Sequence, residues 1–276
     1  MRFGLDVAQH QLTWDEIIAR VRFGEEAGFD GAWVFDHFSA LYGDPDGPCL
    51  EGWTLLAALA ASTSRIRLGT LVTGMTHRHP AVLAAEVVTV DHVSGGRIEL
   101  AVGAAWNDEE HTELGIPFPP VADRMERLEE GVQVMRFLMT GERVSFEGKH
   151  FSLRDALYRP KPVQQPHPPI WIGGTGRRML LPIVGRRADV WHGGADTPEE
   201  YAELAAIVER AAEEAGRDPA SILRASDLSI SERWDDVKRS HGWMRDAGID
   251  YLVVEWPNEG RPRVEEFVEQ VLPQLA

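Results

Sequence analysis

The stretch Gly31-Ala32-Trp33-Val34-Phe35-Asp36-His37-Phe38 is an apolar run that breaks into an acid and an imidazole. Ala32 to Phe35 is long enough for a buried strand. A buried strand ending in Asp-His sets two titratable groups at its carboxyl end. In a parallel α/β protein, that end is where sites are built. Histidine is the side chain most easily tuned for proton transfer near neutral pH. The plainer alternative is that Asp36 caps a turn and His37 sits at the surface.

The same rhythm extends on both sides of this stretch. Arg2 to Val7 reads as a strand. Thr13, with Glu16 three residues on, makes a capping-box pattern. The helix it opens runs through Ile17, Ile18, Val21 and Ala27 and stops at Gly28. A loop rich in Gly, Pro and Asp precedes a helix from Leu55 to Ala61. Ile66 to Thr73 is the third strand, ended by Gly74. Ala81 to Val93 is helical and stops at Gly95-Gly96. Ile98 to Val102 is the fourth strand, followed by helices near Asp108 to Leu114 and from Arg124 to Met139. Strands then recur at Ile170 to Ile172, Ala188 to His192, within Ile222 to Ile230, and at Tyr251 to Trp256. Helices follow them at Met179 to Val184, from Pro198 to Gly216, at Ser231 to Ala247 and at Val264 to Leu272.

Eight strands, each followed by a helix, predict a (β/α)8 TIM barrel over residues 1–276, a length close to the typical value of about 250. Residues 142–169 break the rhythm with prolines, aromatics and charges and no clear helix. They predict an insertion between strands 4 and 5 that serves as a lid.

No apolar run reaches the roughly 18 residues of a membrane span. The N-terminal segment lacks the sections of a signal peptide, and Cys49 is the single cysteine. Both predict a cytoplasmic protein. Cys49 lies in a turn-rich context and reads as a loop thiol. A net charge of −16 argues against nucleic-acid binding.

Several strand ends carry polar or glycine-rich sequence, and the barrel brings them to one face. They are Asp36-His37, Thr73-Gly74, Gly103 to Asn107, Gly173 to Gly176 and His192-Gly193-Gly194. Gly173-Gly174-Thr175-Gly176-Arg177-Arg178 has the character of a phosphate cradle, with backbone N–H groups, a hydroxyl and positive charge. His77-Arg78-His79-Pro80 reads as a helix-entry loop near the ligand. Two His one residue apart point to opposite sides of an extended segment, so no metal is expected. Trp53, Trp106, Trp171 and Trp191 lie near strand ends or site loops and suit a flat ring system, though barrel cores also use such aromatics. Asp108-Glu109-Glu110 reads as the acidic first turn of a helix, with Asn107 its N-cap or a ligand donor. Glu51 reads as a solvent-facing carboxylate.

These motifs carry a resemblance. Gly28-Phe29-Asp30 with Trp33 to Phe38, Ile66 to Thr73, His79 to Ala84, Asp91 to Arg97, Gly103 to Asn107 and Pro169 to Gly174 are similar to the bacterial luciferase-like flavin and deazaflavin oxidoreductases. The chain most closely resembles the actinobacterial branch that uses coenzyme F420. The resemblance implies a TIM barrel with the deazaflavin ring at the strand carboxyl ends. Asp36 and His37 match the family's Asp-His pair; in sugar-phosphate and alcohol dehydrogenating members the matching His acts as base or acid, and Asp36 would orient or tune His37. Leu71-Val72 match a non-proline cis peptide behind the ring. The implied cofactor contacts are Asp36, Leu71, Val72, Thr73, Gly103, Ala104, Asn107, Gly173, Gly174, Thr175, Gly176 and Arg177.

The implied activity is hydride transfer between F420 and a small organic substrate, by a homodimer with no nucleic-acid or membrane partner. The alternatives are an FMN-dependent monooxygenase and a non-catalytic barrel that binds a flavin-like ligand. There are two departures. Family sequences often read Gly-Ala-Gly-Trp where this chain has Gly103-Ala104-Ala105-Trp106. No basic residues match those that hold a sugar phosphate in the dehydrogenase branch.

Overall fold

In the computed structural model, which describes residues 1–275, the chain alternates strands and helices through one closed sheet. The first half contributes β1 (Arg2–Asp6), α1 (Trp14–Ala27), β2 (Gly31–Val34), α2 (Gly52–Ser62), β3 (Arg67–Thr70), β4 (Thr73–Gly74), α3 (Pro80–Ser94), β5 (Ile98–Gly103), α4 (Asp108–Glu113) and α5 (Val121–Thr140). The second half adds β6 (Val144–Glu147), β7 (Ser152–Ala156), β8 (Ile170–Gly173), α6 (Leu180–Arg187), β9 (Val190–His192), α7 (Pro198–Glu214), β10 (Leu223–Leu228), α8 (Trp234–Asp246), β11 (Tyr251–Val254) and α9 (Arg261–Glu266). The staves β1, β2, β3, β5, β8, β9, β10 and β11 pair in parallel around a ring, and β1 meets β11 to close it. This is the (β/α)8 barrel that the strand rhythm predicts.

Local sequence explains the element ends. Thr13 and Glu16 form the reciprocal capping box at the start of α1, and Gly28 ends that helix at φ 88°, where a Cβ would be strained. The third strand is not continuous. It divides at Leu71–Val72, whose peptide bond is cis, as the resemblance implies, and resumes as β4 beside β5.

Two cores result. The larger lies between the sheet and the helices. The smaller fills the barrel with Trp33, Ala101, Trp171, Val190, Ala225, Tyr251 and Val253. Trp33 donates to the Tyr251 hydroxyl at 3.2 Å, and Trp171 donates to Glu99 at 2.8 Å. Buried indole N–H groups are thereby satisfied.

The insertion corrects one expectation. β6 and β7 form an antiparallel hairpin, and none of residues 142–169 lines the cavity at the barrel mouth. The segment is fastened to the outside of the helical layer. Glu130 of α5 accepts from the backbone N–H groups of Lys149, His150 and Phe151. Buried Asp91 of α3 accepts from the N–H groups of Val163 and Gln164 and from the Gln164 amide. These carboxylates satisfy backbone that has no regular partner, so the segment is a strap rather than a cover. Among the described residues, no helix is long and apolar enough to cross a membrane.

Candidate active site

Side chains alternate along a strand, so the core residues fix which positions face into the barrel. Trp33 points inward, and so does Phe35. Ala101 leads to Gly103, and Trp171 to Gly173. These outer positions line a cavity of about 1050 Å³ at the carboxyl ends of the strands. That is room for a ring system together with a small second molecule.

The alternation separates Asp36 from His37. Asp36 is 1% exposed and does not line the cavity. Its carboxylate takes a two-pronged grip from Arg78, at 2.7 and 3.0 Å, and faces Nδ1 of His77 at 3.3 Å. Arg78 also reaches Glu51 at 3.1 Å and Glu86 at 3.4 Å. Asp36 is therefore neither the partner of His37 nor a lining residue, contrary to expectation. It anchors the loop that opens α3. Glu51, expected to face solvent, caps α2 by accepting from the N–H groups of Trp53 and Thr54.

His37 lines the cavity and has another partner. Its Nδ1 lies 3.0 Å from Oε2 of Glu110. Glu110 is 2% exposed and also accepts from the N–H groups of Phe38 and Ser39 and from the Ser39 hydroxyl. Burial alone would raise its pKa. The hydrogen bonds from His37, Phe38 and Ser39, with the attraction of His37, outweigh burial and hold it at about 2. An ionised carboxylate only accepts, so the neutral imidazole carries its proton on Nδ1. Nε2 is left with a lone pair and no partner among the described residues.

Glu110 is the residue that sequence reasoning missed. It occupies the first turn of α4, where an acid is expected for the helix alone. Asn107 caps that helix, accepting from the Glu110 N–H at 3.3 Å, and also lines the cavity.

Along β3, β5 and β8 the cavity wall is smooth. Leu71, Val72, Gly103, Ala104, Gly173 and Gly174 line it. A Cβ on Gly103 or on Gly173 would come within 2.7 Å of a Val72 methyl. Glycine at both positions gives Val72 its place and leaves flat backbone on either side, a surface that fits a planar ring.

Other expected contacts lie elsewhere. Thr73 is fully buried, with its hydroxyl bonded to Thr70 at 2.6 Å and receiving the Trp53 indole N–H at 3.0 Å. It supports the cis bend from behind and does not line the cavity. Trp53, Trp171 and Trp191 are core residues, and only Trp106 of the four lines the cavity. Thr175, Gly176 and Arg177 border an adjoining hollow of about 540 Å³, which shares Met125 and Leu180 with the main cavity. Arg177 is exposed and tied to Glu203 at 2.8 Å and Glu200 at 3.6 Å of α7, so its charge is already matched.

His77, Glu110 and His111 approach within 4.8 Å of one another; Glu110 and His111 are engaged, while Nε2 of His77 is buried without a hydrogen-bond partner among the described residues. His111 bonds Thr76 through Nε2 at 2.7 Å and the Asn107 carbonyl through Nδ1 at 2.6 Å. Burial lifts the Cys49 thiol to about 11, which suits an inert loop thiol.

A parallel barrel with a ring-sized cavity and a histidine–carboxylate pair at the strand ends defines a class of ligand-binding α/β enzyme. The chain belongs to the luciferase-like monooxygenase family of enzymes, whose profile matches residues 1–241. It is 34% identical over 206 residues to an F420-dependent glucose-6-phosphate dehydrogenase of Microbacterium testaceum, covering 74% of this chain and 60% of that protein. It is 30% identical over 228 residues to an F420-dependent hydroxymycolic acid dehydrogenase of Mycobacterium tuberculosis, covering 82% of this chain and 61% of that one. The chain thus spans about three fifths of the length of these two relatives. Its fold is similar to that of an F420-dependent secondary alcohol dehydrogenase in complex with an F420-acetone adduct. The TM-score is 0.89 at 21% identity, over 100% of this chain and 99% of that one.

Proposed function

We propose that this protein is an F420-dependent oxidoreductase in which His37 exchanges a proton with a small organic substrate. The observation that carries the reading is the pairing of His37 with Glu110 beside the one cavity that Val72, Gly103 and Gly173 also line. The F420 dependence of the two relatives supports F420 as the cofactor.

The residues present fit the deazaflavin. The flat wall would receive its ring, and the N–H groups after Gly174 would meet its phosphate. When bound, the deazaflavin supplies two-electron hydride chemistry. The chain supplies the rest. Nε2 of His37 accepts the hydroxyl proton of a substrate being oxidised, or returns one to a substrate being reduced. Glu110 holds the ring in the tautomer that leaves Nε2 free and stabilises the imidazolium once it forms. Phe35, Leu41 and Trp106 border the same space and limit water near the transferred proton.

Equilibrium titration of the protein with F420 and with FMN tests this reading. F420 should bind more tightly. Tighter binding of FMN would transfer the chain to the oxygen-activating branch of its family.

A further inference from the structure

The barrel mouth is divided by chemistry. Just past β2 and β3, and on β5 and β8, the outermost inward positions are Phe35, Leu71, Gly103 and Gly173. On β1, β9, β10 and just past β11 they are Asp6, His192, Asp227 and Glu255. The placement follows from the period of two. His192 stands beyond Val190, Asp227 beyond Ala225 and Glu255 beyond Val253, and all three of those inner residues belong to the barrel core. None of the four titratable groups takes part in the His37–Glu110 pair.

This quadrant is built but incomplete. His192 Nε2 sits 3.2 Å from Oδ1 of Asp227. The Oδ1 oxygen of Asp6 is buried and meets no hydrogen-bond donor among the described residues. Asp227 and Glu255 are open to the cavity. Arg20 is the only lysine or arginine among the residues that line it, and its guanidinium lies over the Trp256 ring, 4.3 Å from the centroid. Three carboxyl groups therefore face His192 and one engaged arginine. Burial, then repulsion from Asp227, lifts the Asp6 carboxyl to about 7. Its ionisation is opposed by its surroundings, and a positive charge arriving there would relieve that opposition.

We propose that Asp6, Asp227 and Glu255 form a cation subsite at the substrate end of the cavity, which takes a protonated nitrogen of an amine-bearing substrate. The inference rests on the reading of the Val72 side as the ring wall, because that assignment leaves this quadrant to the second molecule. The nitrogen's charge would be matched by Asp227 and Glu255, which are open to the cavity, and by the carboxyl of Asp6, which lines the same space. A phosphate or carboxylate would meet like charge instead, in keeping with the missing sugar-phosphate lysines and arginines.

The test uses the full chain without cofactor and three probes of similar shape: benzylamine, benzyl alcohol and benzoate. Affinities are read by ligand-observed NMR near neutral pH. Benzylamine should bind at least about 10-fold more tightly than benzoate, with benzyl alcohol between them. Asp6→Asn and Asp227→Asn should each weaken benzylamine by about 10-fold and leave benzyl alcohol within about twofold. Glu255→Gln, outside the strands, serves if Asp6→Asn does not fold. Benzoate binding as tightly as benzylamine overturns the subsite. So does an amine affinity unmoved by Asp227→Asn and Glu255→Gln. F420 titration of the same proteins separates the two readings. Failure of the parent to bind F420 would sink the proposed cofactor, while the amine preference would still decide the subsite.

Discussion

The imidazole of His37 rests on a carboxylate 73 residues away, with its Nδ1 3.0 Å from Oε2 of Glu110. The acid beside it in sequence, Asp36, faces the other way and belongs to Arg78. One carboxylate orients the proton carrier and the other secures the loop behind it. The two should respond differently to substitution.

His37→Ala should lower turnover by about 100-fold or more with little change in F420 affinity. Glu110→Gln keeps the shape but removes the charge that favours the imidazolium. It should lower turnover by roughly 10-fold or more with F420 affinity little changed. Parental turnover in Glu110→Gln would remove Glu110 from the proton step.

Glu110 also bears on stability. Its carboxyl is held at about 2 in the folded protein, against 4.5 ordinarily. A depressed folded-state pKa contributes stability that is complete above the ordinary value and is lost as pH falls toward the folded one. The stability gap between parent and Glu110→Gln should therefore be full at neutral pH and shrink between pH 4.5 and about 2. Urea unfolding across that window measures it, and a pH-independent gap would contradict the assignment.

Asp36 and Arg78 should behave as a buried ion pair. Arg78→Ala strands the Asp36 carboxylate, 1% exposed, without its strongest partner. We expect a loss of about 3–5 kcal/mol in unfolding free energy, the scale for breaking one side of a buried pair. The pH dependence of turnover in whatever folds should keep the parent's shape. A shifted profile at full stability would give Asp36 a direct part in proton transfer.

Much of the barrel was legible because its signals are local. The Thr13–Glu16 box, the apolar runs of β2 and β5 and the glycines after α1 and α3 act within a few residues. The hairpin β6–β7 was not legible, because its two short strands alternate half-buried with exposed residues and carry no apolar run. Glu110 and Asp6 were missed for another reason. Each looks ordinary beside its neighbours in sequence, and its meaning comes from groups brought to it by barrel closure. For Trp171 and Trp191 the sequence left two readings, ring contact or core, and the structure places both in the core.

Ala105 carries a Cβ in a backbone conformation that favours glycine. Its φ is 61°, in the left-handed region. Ala105→Gly should raise stability by about 1 kcal/mol, because the left-handed conformation costs a Cβ-bearing residue roughly 1–2 kcal/mol. The greater freedom of glycine in the unfolded chain offsets part of that gain. Thermal or urea unfolding reads the difference, and a destabilised variant would show that the methyl contributes packing instead.

Asp6 predicts the opposite pH trend from Glu110. Its folded value is about 7 against 3.8 ordinarily, raised by burial and by Asp227, then Glu255, with Arg20 and the Ala8 N–H opposing; His192 faces the same group. Between those values the folded protein keeps a proton that the unfolded chain has lost. Stability from this group therefore falls as pH rises through the window and is least above about 7. Asp6→Asn should gain roughly 1–3 kcal/mol on the parent between about pH 5 and pH 8. A constant difference across that range would mean that Asp6 titrates normally.

The glycine loop after β8 allows a last separation, between backbone and side-chain contributions to phosphate binding. Gly174 has φ 126°, and a Cβ there would come within 2.5 Å of the Leu180 side chain at the start of α6. Gly174→Val must therefore move the loop whose N–H groups would face the phosphate. We expect F420 binding to weaken by about 1–3 kcal/mol, the scale of a lost hydrogen bond to a charged group. Arg177 follows at once in sequence, yet its guanidinium is spent on Glu203 and Glu200. Its exposed charge is screened by salt and largely neutralised, so Arg177→Ala should cost less than Gly174→Val and reduce the salt dependence only slightly. Titration of both folded variants with F420 at two salt concentrations decides the matter. A larger loss in Arg177→Ala would mean that the guanidinium leaves α7 for the ligand. Unchanged affinity in Gly174→Val would move the phosphate away from this loop.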